Sequence, residues 1–248
     1  MINQVIAVWF SCGAASAVAA KLAMEKYGKH NKVKILNNPV FEEDEDNQRF
    51  RMQVGVWLGV SIETVINPNW PSASAVDVWN KRKFMSGPKG APCTGELKVK
   101  ARQIWEKNNH VDWHVLGFTS EEKHRFERFK LTERKNTIAP LIDDNLSKQD
   151  CFDILLNSRL LLPRVYSLGY SNANCIGCVK TASPDYWNHV RKTYPLVFKS
   201  RAEQSRKIGV KLVRVKGRRV YLDELQELDK GRSMKQYKLE CGLFCEEE

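Results

Sequence analysis

Seven cysteines stand at positions 12, 93, 151, 175, 178, 241 and 245 of the 248-residue chain. Cys175 and Cys178, in NCIGCVK, are two residues apart around a glycine, a spacing that lets both sulfurs reach one metal from a tight turn. Cys93 in APCTGELKVK and the pair Cys241 and Cys245 in CGLFC bring the candidates to five for four ligand positions. Zinc and a four-iron iron–sulfur cluster (4Fe-4S) are both served by thiolates, and spacing does not separate them. An odd cysteine count behind a start, MINQVIAVWF, without the basic opening and cleavage site of a signal peptide argues against a disulfide framework. The expected compartment is the cytoplasm. Cys12 reads as a small loop residue, and Cys151 as a small hydrophobe buried in an amphipathic helix.

A second chemical feature lies at the N-terminus. VWFSCGAASAVAAKLA (8–23) joins an apolar strand, a loop of small residues and an alanine-rich helix. The first N–H groups of such a helix have no intrahelical acceptor and carry the positive end of its dipole, so the corner suits an anion, phosphate above all. Ser11, Cys12, Gly13 and Ser16 are the residues placed to line it.

The elements needed to hold these features alternate: strand 4–10, helix 16–27, strand 33–37, helix 47–58, strand 62–66, helix 74–84, helix 96–108, strand 111–118 and helix 120–130. Alternation of this kind predicts an α/β fold with a mostly parallel twisted sheet and helices on both faces. Ligands then sit beyond the carboxyl ends of the strands, where strand order reverses. The 11–15 loop is at one such end, and Gly117 to Ser120 at another. Ser147 and Asp150 predict a capping box for a helix to about 158. A helix-rich stretch runs from Pro184 to Ser200; VKLVRV and RRVYL around KGR then read as a small hairpin, LDELQEL as a short helix, and LECGLFCEEE as a tail. The expected division is 1–200 and 201–248.

Composition supports a soluble globular chain, with 42% hydrophobic residues, 28% charged and no apolar run long enough for a membrane span. The net charge of +11 is concentrated. Residues 199–219 hold nine basic residues and one acid, Glu203, a patch suited either to nucleic acid or simply to water. The acidic run EEDED (42–46) reads as an exposed loop.

Taken together the motifs resemble the phosphoadenosine phosphosulfate (PAPS) reductase family of the adenine nucleotide α-hydrolase (PP-loop) superfamily, over roughly residues 4–182 and again at the C-terminus. Ser11-Cys12-Gly13-Ala14-Ala15-Ser16 is similar to the Ser-Gly-Gly-x-Asp-Ser loop. PCTGELKVK, GFTSEEKHR, PLIDDNLSKQD, PRVYSLGYSNANCIGC and ECGLF follow the family's later motifs in order. The resemblance implies a PP-loop, Rossmann-like domain over 1–200 that binds an adenine nucleotide (ATP, APS or PAPS). It also implies thiol or iron–sulfur dependent sulfur chemistry. Cys241 is its candidate nucleophile, attacking the sulfur of a sulfonucleotide to give a thiosulfonate that a thiol reductant protein cleaves to sulfite. Lys98, Arg125 and Lys180 are implied as partners of sulfate and phosphate oxygens, and Gly117 as part of the nucleotide site.

Three departures redirect the reading. The loop's aspartate is Ala15, which favours holding a nucleotide over cleaving its α–β bond; a family cysteine is Pro92; and the histidine after Glu-Cys-Gly-Leu is Phe244. Cys245 is then available as a replacement ligand: Cys93, Cys175 and Cys178 are expected to share a site with Cys245 or Cys241 as the fourth ligand, or Cys241 and Cys245 together face Cys175 and Cys178 without Cys93. Two other functions fit the same residues. One is a PP-loop sulfurtransferase acting on tRNA or DNA through residues 199–219. The other is a non-catalytic nucleotide- or nucleic-acid-binding module in which zinc is structural.

Overall fold

The computed structural model describes residues 2–87 and 90–234. The chain runs β1 (Val5–Trp9), α1 (Ala14–Tyr27), β2 (Lys32–Asn37), α2 (Asp46–Leu58), β3 (Ile62–Thr64) and α3 (Ala75–Arg82). A π-helical segment, Thr94–Val99, leads into α4 (Lys100–Lys107), followed by β4 (Trp113–Val115), a 3-10 turn at Ser120–Glu122, α5 (Lys123–Thr132) and β5 (Thr137–Ile138). Then come α6 (Pro140–Asp143), α7 (Lys148–Asn157), α8 (Arg164–Ser167), α9 (Pro184–Thr193) and α10 (Pro195–Ile208). The antiparallel pair β6 (Val213–Val215) and β7 (Arg218–Val220) precedes a 3-10 turn at Leu222–Glu224.

The five long-range strands are all parallel, in the order β3-β2-β1-β4-β5. Val8 of β1 pairs with Ile35 on one side and Val115 on the other. Ile6, Ala7, Val8, Trp9 and Phe10 are almost wholly buried, which explains a continuous apolar run in place of an alternating one. Strand order reverses between β1 and β4, so the loops after these two strands meet at the switch point. In α1 the buried positions are mostly alanine, short enough for close packing against the elements around it.

By contact the chain forms two compact units. One comprises the residues up to Pro39, Glu45–Ile66 and Ala101–Arg164, including the parallel sheet; the second comprises Val40–Asp44, Asn67–Lys100 and the described residues from Val165 onward. The units are interleaved in sequence, and the expected boundary at 200 falls inside α10 of the second. That unit has its own core, in which Trp79, Met85, Tyr186, Trp187, Val190, Leu212 and Leu222 are buried.

Several local expectations change. The helix expected at 96–108 begins as the π-helical turn, and strand 111–118 is reduced to three paired residues. β5, α6 and α8 have no counterpart among the expected elements. The acidic run is not a loop in water. Asp44 is buried and accepts a hydrogen bond from the Tyr194 hydroxyl, while Glu42 accepts from Ser74 Oγ and from the backbone N–H groups of Ala75 and Val76 (2.7, 2.8 and 3.1 Å), capping α3 from a distance. The capping box at Ser147 and Asp150 forms as expected. No helix among the described residues is long and apolar enough to cross a membrane.

Candidate functional site

The corner between β1 and α1 is built by its own side chains. Cys12 adopts a left-handed backbone (φ 57°), which turns the chain into Gly13, the extended N-cap of α1. Ser16 is buried, and its hydroxyl donates to Gly13 O at 2.8 Å while accepting from Ser11 N and Ser11 Oγ at 3.1 and 3.2 Å. Ser16 therefore shapes the loop, and Ser11, which is exposed, is the hydroxyl at its surface. At the end of β2, buried Asn37 braces the corner through Nδ2, which donates to Phe10 O (2.8 Å) and to Cys12 Sγ (3.6 Å). A polar residue closing the apolar strand VKIL is its only sequence signal.

The loop after β4 completes the corner. Gly117 lies against the first turn of α1. Beyond it Thr119 caps the 3-10 turn with Glu122, whose Oε2 accepts from Thr119 N and Oγ1 at 3.2 and 3.3 Å. Arg125 is held by the same carboxylate at 2.9 Å and stacks over the Phe118 ring at 5.1 Å. Its charge is thus already partnered, and an oxyanion would have to share it. Neighbouring Asn38, 5% exposed, donates to Val65 O through Nδ2, yet its Oδ1 has no partner among the described residues.

Beneath the corner, β1 and β4 are joined by Trp9 Nε1 donating to His114 Nδ1 at 3.0 Å. His114 is 1% exposed, and burial, followed by the charges of Arg134 and Arg102, pushes it down to about 3, so it is neutral at physiological pH.

No family model and no curated protein matches the chain. Among solved structures it is similar to the U34-tRNA thiolase NcsA from Methanococcus maripaludis with its [4Fe-4S] cluster, at TM-score 0.48 and 14% identity, over 84% of this chain and 74% of that one.

Of the described cysteines, the candidate ligands Cys93, Cys175 and Cys178 belong to the second unit, whereas Cys12 and Cys151 belong to the first. The Cys175–Cys178 turn pivots on Gly177 (φ 68°), Ile176 N donates to Glu42 O at 2.8 Å, and Cys178 N donates to the buried hydroxyl of Tyr186 at 2.9 Å. Behind the turn lies Arg201, 3% exposed, with its guanidinium 4.6 Å over the Trp79 ring and Nη1 donating to Gln204 at 2.9 Å. Its Nε has no acceptor among the described residues and stands 3.5 Å from where a Gly177 Cβ would be. Burial dominates and lowers its pKa, opposed first by the carboxylate of Glu42. Arg201 was counted from sequence with the surface patch; it is a buried charge.

Lys98 is also buried, on the π-helical segment, with Nζ 3.6 Å from Glu43 Oε1, and Lys180 is half-buried beside the cysteine turn. Cys93 caps the π-helical segment, and with Cys175 it packs on the apolar cluster that contains Cys178. Even so, no group of three His, Cys, Asp or Glu among the described residues is arranged to hold a metal ion. The expected set of Cys93, Cys175 and Cys178 also draws on Cys241 or Cys245, and the two thiols that one tight loop carries are Cys175 and Cys178. Cys241 and Cys245 lie outside the described residues. None of the five described cysteines is in a disulfide, and buried Cys151, its thiol pushed up to about 12 by desolvation, is the inert hydrophobe the sequence suggested.

Proposed function

We propose that the chain is an adenine-nucleotide-binding enzyme of sulfur chemistry, holding the nucleotide's phosphate or sulfate at the Ser11–Ser16 corner. The carrying observation is the contact of Gly117 with the first turn of α1 at the switch point of a parallel sheet, where main chain meets main chain with no side chain between. The unpartnered Asn38 Oδ1 at the end of the adjacent strand offers a buried acceptor for a ligand N–H. Ala15 in place of an aspartate favours a sulfonucleotide, bound without α–β cleavage.

The thiols of Cys175 and Cys178 fit half of a four-thiolate set, and Cys241 and Cys245 are the residues that would complete it around an iron–sulfur cluster or zinc. When bound, a cluster would supply a thiolate-ligated redox centre. Titration calorimetry of the purified protein with ATP, adenylylsulfate and PAPS tests the reading, with micromolar binding expected for at least one. Absence of heat with all three in a folded sample overturns it. Sulfite release from the sulfonucleotide marks a reductase, and pyrophosphate release from ATP that depends on added tRNA or DNA marks the sulfurtransferase.

A further inference from the structure

We propose that the β6–β7 hairpin is a docking arm for the phosphate backbone of a nucleic acid. Residues 204–222 contain seven basic side chains and no acid. Of these, Arg206 is neutralised by Asp223 and Glu224 (both 2.8 Å). Lys211, Arg214, Lys216, Arg218 and Arg219 are exposed; Lys211 is near enough to help hold the Glu224 carboxyl below its usual range, and among the described residues none of the five forms a salt bridge.

Two local choices raise the hairpin's energy for the sake of that charge. Arg214 and Arg219 stand directly opposite each other across the ladder, where like charges repel. Lys216 takes the first position of the two-residue turn at φ 46°, followed by Gly217 at 81°, a geometry that favours Asn or Gly and strains a lysine. A surface needing only solubility gains from neither, whereas a polyanion neutralises both.

The arm is also pre-positioned. Leu212, Val213 and Leu222 at its root are buried, Arg214 N donates to Ala182 O at 2.9 Å, and Arg219 Nη1 donates to the carbonyls of Lys211 and Leu212 at 3.4 and 3.1 Å. Tyr221 lies among the cations, with Arg206 3.9 Å and Lys211 5.5 Å from its ring centre. An aromatic face bordered by cations on a two-stranded ribbon suits a nucleic acid, which offers bases to stack as well as phosphates, more than an acidic peptide.

The proposal uses residues apart from the nucleotide corner and is tested separately from it. Fluorescence anisotropy of the full chain with a labelled single-stranded oligonucleotide, at a series of salt concentrations, reads affinity and salt slope. Replacing Lys211, Arg214, Lys216 and Arg218 by glutamine together should weaken binding at least tenfold and reduce the log–log slope by about 3, from roughly 0.7 per lost strand contact. Replacing four exposed lysines elsewhere, Lys29, Lys32, Lys107 and Lys123, makes the same change in net charge and should leave both within twofold. Equal losses in the two variants, an unchanged hairpin variant, no binding by the wild type, or competition by poly-aspartate as strong as by unlabelled oligonucleotide each overturns the proposal. Circular dichroism and unaltered nucleotide affinity establish that the hairpin variant is folded.

Discussion

A Cβ on Gly117 would stand 2.9 Å from both the Cα and the N of Ser16, a distance real Cβ atoms do not adopt against backbone. The loop after β4 and the first turn of α1 are therefore in contact through bare main chain. Gly117→Ala must push one of them away. The expected result is a loss of about 1–3 kcal/mol of stability, typical of overpacking, together with at least a tenfold loss of nucleotide affinity. Denaturant unfolding and calorimetry read the two effects; an alanine variant equal to wild type in both would remove the corner's geometric basis.

Cys12 sits in the left-handed region at φ 57°. Glycine meets no steric penalty there, and a β-branched residue meets the largest. Cys12→Gly is expected to stay within about 1 kcal/mol of wild type, because conformational relief offsets the loss of the small buried side chain. Cys12→Val should cost more than about 2 kcal/mol. Thermal and denaturant unfolding of the pair give the order, and a valine variant as stable as the glycine one contradicts it.

Glu42 ties α3 to a segment more than thirty residues upstream through three hydrogen bonds to one carboxylate. Glu42→Ala leaves the first N–H groups of that helix without their acceptor and removes a negative neighbour of buried Arg201. The cost should be about 2–3 kcal/mol, with Glu42→Gln intermediate because its amide oxygen still accepts. Unfolding free energies of the two variants check the ranking.

These positions also mark where the sequence was legible. The parallel sheet could be read because β1 is an apolar run, β2 carries β-branched and apolar residues at Val33, Ile35 and Leu36, and α1 begins after small residues, all signals carried within a few residues of one another. The hairpin was legible for the same reason, a two-residue Lys-Gly turn between β-branched strands. β5 has two paired residues and shows no period. The run 42–46 misled because hydrophilicity predicts water, whereas its carboxylates are claimed by Ser74, Lys98 and Tyr194, partners far along the chain. Arg201 was lost in a charge count for the same reason: its burial depends on Trp79 and Gly177. Asn37 at the corner likewise draws its meaning from Phe10.

The buried histidine makes stability depend on pH. His114 is held near pKa 3 in the folded protein against 6.5 in an unfolded chain, so below pH 6.5 the unfolded state binds the extra proton. Its contribution is complete above about pH 6.5 and is lost as pH falls from there toward 3. Between pH 7.5 and 5.5 this group alone should remove about 1.4 kcal/mol of unfolding free energy. His114→Gln, whose amide oxygen can accept from Trp9 Nε1, should be less stable at pH 7.5 but lose about 1.4 kcal/mol less over that interval. Parallel slopes for the two proteins would contradict a neutral buried ring.

Metal content after anaerobic purification or reconstitution separates the cysteines by role. Cys175 and Cys178 share one tight turn and are the described donors best arranged to ligate together, so Cys175→Ala and Cys178→Ala should each lower bound iron or zinc from stoichiometric to near zero. Cys93 stands apart in sequence as the N-cap of the π-helical segment, and under a set of Cys175, Cys178, Cys241 and Cys245 the Cys93→Ala variant should retain full occupancy. Cys151→Ala should do the same, its thiol being fully buried and held protonated. If Cys241 and Cys245 complete the set, their alanine variants will lose metal with the turn cysteines and lower the melting temperature alongside, because ligation energy is part of folding energy in such sites. Iron with a brown chromophore identifies a cluster and colourless stoichiometric zinc the structural alternative. Metal lost in Cys93→Ala but kept in Cys241→Ala and Cys245→Ala would return the ligand set to Cys93 and refute the assignment made here.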